Sequence, residues 1–531
     1  MPFVSLVPAT KPSTGPVMGP VALAMTFFTL LCAATLIAIL RLNHRTFTYT
    51  LDDPYLHLSL AENIVAGHYG INRDDVAAPS SSVLWPYLLA PFSRLPFGYL
   101  VPLFLNYAAS LGTIALLGRM ISTSLEGSNE KPVKLGVVFL VVFLILAANL
   151  VGLAFTGMEH SLQVLLSVAL VAGLIEETTT ARVPSWLPAA IVAGPLVRYE
   201  NLALSLPALA LLACRGRAIL AAGCLAALLL GLGGFSLYLH GMGLGWVPLS
   251  VSAKSGVIAG GGSLASVLRN LRLNLRPGLG LLFCLAAFVA VARRPRTPAD
   301  RALALWAAAA VVLHMLVGRF GWFFRYEIYV WISSLVMLIF LFRDGLRRVV
   351  ERVPAHGIAA ALAVLLIVAC RGYLGALALT PLGANNIYEQ QYQMHRFAAD
   401  FHAAPVGVND LGLVSYRNHH DVLDLEGLAS PETREVRRAA ARSAWMDTLC
   451  ARHGVKLAMV YDSVFPEIPP SWVPLGRLRL AKRRVTPMDS VVTFWAVDRP
   501  AAAAAMAELL EFRKTLPPGV RFDFEDARAR R

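Results

Sequence analysis

Residues 50–71 read TLDDPYLHLSLAENIVAGHYGI, with Asp52 and Asp53 side by side just after an apolar run. Adjacent carboxylates repel, and the repulsion raises the proton affinity of the pair, which suits a general base working near neutral pH. Beside a phosphate, the same pair suits a divalent cation such as Mg2+ or Mn2+. A plainer role competes at Asp53. It precedes Pro54, and Leu56, Leu60 and Ile64 follow at helical spacing, so Asp53 also reads as an N-cap. Asp52 has no such alternative. His57 falls one turn later, and Ser59, Glu62 and Asn63 extend a polar stripe, as in an amphipathic helix lying on a membrane surface.

Other charged side chains sit at the ends of apolar runs: Glu159 after TGM, Arg198 and Glu200 in VRYEN, Lys254 in SAKSG, and Arg325 beside Tyr326. On insertion scales a charge inside a span costs roughly 2.5–3.5 kcal/mol, so such residues face a cavity or a partner. Arg198, Lys254 and Arg325 are the cations available to a phosphate. Each has a plain reading as well: an ion pair with Glu200, a solvated loop lysine, and a snorkelling interfacial arginine. Glu159 and His160 read as a polar helix end. Gly260–Gly262 is not a phosphate loop, because no GK[ST] follows. Trp322, Phe323 and Phe324 read as an interfacial aromatic belt. Asn409, Asp410 and Glu426 in the tail read as turn residues or as polar contacts to a bound molecule.

The elements that must hold these residues are membrane spans. The chain of 531 residues is 56% hydrophobic and 15% charged, with a mean hydropathy of +0.60, more apolar surface than a soluble chain can bury. The net charge of +14 lies in short loops (Arg215 and Arg217, 293–301, 343–352), the pattern of cytoplasmic loops and not of a nucleic-acid partner. Six cysteines show no paired spacing, so neither a disulfide framework nor a metal cluster is expected. Apolar segments predict about eleven spans, the first near 18–40, with 83–95 interfacial or re-entrant because it is short and carries Pro86 and Pro91. With the basic loops inside, the acidic pair, GMEH, RYE, the loop 240–275, RFGWFFR and everything after 380 fall outside. Residues 1–380 thus form a membrane domain. Residues 381–531 alternate strand-like runs (VGVND, DVLDLEG, VKLAMVYD, SVVTFWAV) with helical ones and read as an extracytoplasmic α/β domain.

DDPYLHLSLAENIVAGHYGINRDDVAAPSSSVLWPYLLAP resembles the first extracytoplasmic loop of integral-membrane glycosyltransferases of the glycosyltransferase-C superfamily, in the bacterial branch similar to mycobacterial arabinofuranosyltransferases. TGMEHSLQVLL, GPLVRYENLAL, GWVPLSVSAKSG, RFGWFFRYEIYVWI and the tail segments VGVNDLGLVSYRN and DVLDLEGLASPE resemble further family segments in order. The resemblance departs from the pattern at His57, where an arginine is common nearby, at Tyr199 and at PLSVSAK.

The resemblance implies a polytopic α-helical enzyme of the bacterial plasma (inner) membrane. It would move a sugar from a polyprenyl-phosphate donor to a glycan, lipid or protein acceptor on the outer face, usually with inversion. It implies Asp52 as general base, Asp53 orienting it or holding a divalent cation with it, and substrate contacts from His57, Glu159, Arg198, Glu200, Lys254, Arg325 and Tyr326. A glycan polymerase or ligase, or a flippase for lipid-linked sugars, would share the spans. Neither needs the acidic pair, and no inverted repeat is visible.

Overall fold

The computed structural model describes residues 19–73, 75–125, 131–254, 256–259, 261–439 and 443–525. Among them, five helices are long and apolar enough to cross a membrane: Pro20–Leu42, Gly98–Leu125, His160–Thr180, Ala218–Gly241 and Pro298–Val317. Three helix pairs pass the same test together but are bent, Leu264–Leu275 with Leu279–Arg293 by 99°, Ile328–Leu341 with Arg343–Arg352 by 72°, and Ala355–Ala369 with Arg371–His402 by 82°. Val133–Ala147, Trp186–Val197 and Tyr199–Cys214 are apolar but shorter. Length and composition therefore qualify five to eight of the eleven or so expected segments as crossings. Trp85–Leu89 and the turn Ala90–Phe92 are too short to cross, as their prolines led us to expect.

The helices enclose one apolar core running from Phe28 through Leu144, Val168 and Ile191 to Met337. Many of their other faces are exposed, with Leu30, Leu230 and Phe283 each more than 60% accessible. Such a surface needs lipid around it, and the chain is a multi-pass membrane protein on that ground. Loops that carry the basic residues meet at one end: Arg296 pairs with Asp344 at 2.6 Å and Arg343 with Asp300 at 2.9 Å.

The tail forms a six-stranded mixed sheet. Its strands are β1 Val406–Val408, β2 Val422–Asp424, β3 Leu457–Val460, β4 Val473–Arg479, β5 Val491–Ala496 and β6 Arg521–Phe524, in the order β2-β1-β3-β5-β4-β6. β1 pairs in parallel with β2 and β3, and the other neighbours are antiparallel. β1, β2, β3 and β5 are the four strands expected from the sequence. β4 and β6 escaped notice because charged residues interrupt their apolar pattern. The expected domain boundary at 380/381 falls inside the helix Arg371–Glu389, which carries the chain from the bundle to the sheet without a linker.

Candidate active site

Helix Asp53–Ala66 starts with Asp52 at the N-cap position, and Asp52 makes no capping hydrogen bond there. The cap expected at Asp53 is thus not formed; proline takes the first turn instead. Asp52 turns to the sheet domain. Its Oδ2 accepts the Gly412 N–H at 2.7 Å and its Oδ1 the Leu413 N–H at 2.8 Å. Two residues of the helix's polar stripe do the same, while Asn63 donates to the Gly70 and Ile71 carbonyls. Ser59 meets Ser415 at 3.3 Å, and Arg417 donates to Glu62 at 3.0 Å. In the GHYGIN turn, Asn72 donates to the Val422 carbonyl at 3.2 Å and accepts its N–H at 2.8 Å, extending edge strand β2. Buried polar groups need partners, and for these the sheet domain supplies them.

Between the two parts lies a cavity of about 430 Å³. The bundle contributes Asp52, Asp53, Arg325 and Tyr326 to its wall, and the sheet domain Asn409, Asp410 and Glu426. Arg325 is 1% exposed and donates from Nη2 to Asp53 at 2.5 Å. Its Nε and Nη1 have no hydrogen-bond partner among the described residues. The Tyr326 ring centre lies 5.2 Å from the Arg325 guanidinium carbon and 5.9 Å from that of Arg198, within cation–π range. Asp410 Oδ2 accepts the Tyr461 hydroxyl at 2.6 Å and the Gln391 amide at 2.7 Å. Burial pushes the Asp410 carboxyl above the ordinary carboxylate range. Burial and then the charge of Asp410 push Asp52 well above it too, against the two amide donors. The cavity walls therefore join a buried cation with two unpaired donors to carboxyls of raised proton affinity.

Arg325, Tyr326, Asp52 and Asp53 are the predicted site residues that face this cavity. His57, Glu159, Arg198 and Glu200 come together as well, but outside its wall. Arg198 donates to Glu159 at 2.7 Å, to Ser81 at 3.0 Å and to Glu200 at 2.6 and 3.0 Å. Glu159 in turn lies 3.8 Å from His57 Nε2, whose Nδ1 is 3.2 Å from Ser80. Every nitrogen of the Arg198 guanidinium already donates to this network. The network ties PSSS to the helix ends below and backs Tyr326. Lys254 closes the helix Leu249–Lys254, and its side chain lies outside the described residues. Asp410, Asn409 and Glu426 were readable as turn residues, and no local pattern marks them for a cavity. Only the sheet's docking does.

The acidic pair does not fit a divalent cation as it stands. Both Asp52 oxygens face N–H donors and Asp53 holds a guanidinium, so an entering cation would meet positively polarised groups. Among the described residues no three His, Cys, Asp or Glu side chains could hold a metal ion, and no step is drawn through one.

A family described as a domain of unknown function (DUF8728) matches residues 385–495, from within the helix Arg371–Glu389 to the end of β5. No curated protein matches the chain. Among solved structures, ArnT from Cupriavidus metallidurans bound to undecaprenyl phosphate is similar at a TM-score of 0.44 and 12% identity, over 90% of this chain and 99% of that one. Arabinofuranosyltransferase AftD from mycobacteria is similar at 0.41 and 14%, over 89% of this chain, which spans 42% of that one.

Proposed function

We propose that the chain transfers a glycosyl residue from a polyprenyl-phosphate donor to a hydroxyl of a cell-envelope acceptor on the outer face of the membrane. One observation carries the reading: a buried arginine with two unpaired donors and a set of carboxyls line one cavity of a chain with lipid-facing helices. The motif order in the sequence supports it. Departure of a lipid phosphate needs a cation to take up its charge, and Arg325 Nε and Nη1 supply it in a site where burial strengthens the interaction. Asp53 keeps Arg325 charged and aimed. The acceptor hydroxyl must lose a proton as it attacks the anomeric carbon from the face opposite the leaving phosphate.

Asp52, the expected base, pairs with Asp410 in this reading, because burial and then the Asp410 charge raise the proton affinity of Asp52. Asp410 Oδ1 is the oxygen of that pair with no internal donor among the described residues, and we place the proton there. Asp52 then serves chiefly to bring Asp410 to the cavity through its bonds to Gly412 and Leu413.

The test uses the full chain in proteoliposomes with decaprenyl-phosphate sugars and an envelope glycan fraction. Transfer with release of decaprenyl phosphate is expected, and Asp410→Asn should bind the donor but not discharge it. A protein that moves these lipids between leaflets without cleaving them would replace this reading with a flippase.

A further inference from the structure

Helix Leu264–Leu275, in the loop 240–275 expected on the outer side, is built inside out. Ser266, Asn270 and Asn274 share one face, and all three are buried, at 5–7% exposure. Leu264, Leu268, Leu271 and Leu275 recur at i, i+4, i+7 and i+11, so they form a stripe on another face. Leu264 is 73% exposed, Leu268 54% and Leu275 45%. Arg269, Arg272 and Arg276 flank that stripe; all are exposed and have no ion-pair partner among the described residues. A helix in water places leucines inside and asparagines outside. This one does the reverse.

Its direction adds a second observation. The chain turns by 99° at Pro277 and Gly278 before the apolar helix Leu279–Arg293. Gly278 is required at the bend, since a Cβ there would lie 2.7 Å from the Asn274 carbonyl and from Met315 Sδ. Leu279 and Phe283, just beyond the bend, are 55% and 75% exposed, so the leucine stripe continues a lipid-facing surface. A helix at right angles to the span it joins lies along the membrane, not across it.

We propose that Leu264–Leu275 is a bilayer-surface helix, with its leucine stripe among the acyl chains and Arg269, Arg272 and Arg276 on anionic lipid headgroups. Its buried face connects this contact to the cavity. Asn270 donates to the Leu316 and Gly318 carbonyls, both at 2.9 Å, and Asn274 to Met315 and Gly318, both at 3.0 Å. Gly318 opens the segment whose next residues, Arg319 and Phe320, line the cavity ahead of Arg325. The lipid surface thereby fixes the start of the loop that carries the cavity's buried arginine. The inference is independent of the reaction proposed above.

The test labels Leu268→Cys with bimane in the full chain, in a Cys214→Ser background because Cys214 is the exposed native thiol. The protein is reconstituted in phosphatidylcholine vesicles with or without phosphatidylglycerol. Lipids brominated on the acyl chain should quench the label several-fold more than aqueous iodide, with a larger blue shift when phosphatidylglycerol is present. Arg269→Gln, Arg272→Gln and Arg276→Gln together should abolish the phosphatidylglycerol effect and keep the bromolipid quenching. Leu264→Cys reads the same stripe independently. Quenching by iodide alone at both positions would overturn the proposal, and bromolipid quenching that ignores phosphatidylglycerol would overturn its headgroup half.

Discussion

The Asp52 carboxylate reaches 360 positions along the chain to accept the amide hydrogen of Gly412 at 2.7 Å. This contact joins the bundle to the sheet domain and places Asp410, two residues before Gly412, at the cavity wall. Gly412 is fitted to it. A Cβ on Gly412 would lie 2.2 Å from the Asp52 carbonyl oxygen and 2.6 Å from Oδ2, so Gly412→Ala must push the two parts apart. Overpacking of this kind costs about 1–3 kcal/mol. We expect a lower midpoint of thermal unfolding in detergent, with faster proteolysis of the sheet domain. An unchanged protease pattern would show that the clasp does not hold the domain.

The raised Asp52 and Asp410 carboxyls carry a pH dependence whose sign is fixed. A carboxyl held above its unfolded value in the fold favours folding most below that unfolded value, and the contribution is lost as pH rises through the folded one. Asp410→Asn should therefore unfold at a higher temperature than the parent chain at alkaline pH, with the difference shrinking towards acid. Catalysis runs the opposite way, since a base must be ionised: transfer should rise through an acid limb above the ordinary carboxylate range. A thermal profile parallel to the parent's across pH would refute the shift at Asp410.

Arg325→Lys separates charge from shape. Lysine keeps the cation but cannot match a forked guanidinium contact to both Asp53 and a phosphate. Donor turnover should fall about 100-fold, equivalent to roughly 2.7 kcal/mol, while the chain still folds. Near-normal turnover would mean that Arg325 does not touch the phosphate.

Arg198→Met should behave differently. It leaves Glu159 fully buried beside His57 without its guanidinium, and breaking a buried pair costs about 3–5 kcal/mol. Yield and thermal stability should collapse, and any surviving protein should bind the decaprenyl-phosphate sugar with parental affinity. Stable protein with weakened donor binding would move Arg198 back into the site.

Asn72→Ala removes two hydrogen bonds to the edge of β2. A loss of about 1 kcal/mol is expected, read as increased amide exchange at Val422.

Much of this protein was legible along the chain. Hydropathy marks the lipid-facing segments because each span must satisfy its own backbone and present apolar side chains, and that signal is local. The strand-like runs VGVND and VKLAMVYD marked β1 and β3, which are buried throughout. Arg325, Tyr326 and the acidic pair stood out because charge at the end of an apolar run needs an explanation. What sequence could not supply is which polar groups meet. Arg198 and Arg325 look alike in one dimension; in the fold every Arg198 guanidinium nitrogen donates to Glu159, Glu200 or Ser81, whereas Arg325 Nε and Nη1 are buried without a partner among the described residues. Asp410 looks like a turn residue, and 264–275 reads only as part of an outer loop. Those assignments depend on contacts that reach from tens to hundreds of residues along the chain, and only the folded chain brings the partners within hydrogen-bonding distance.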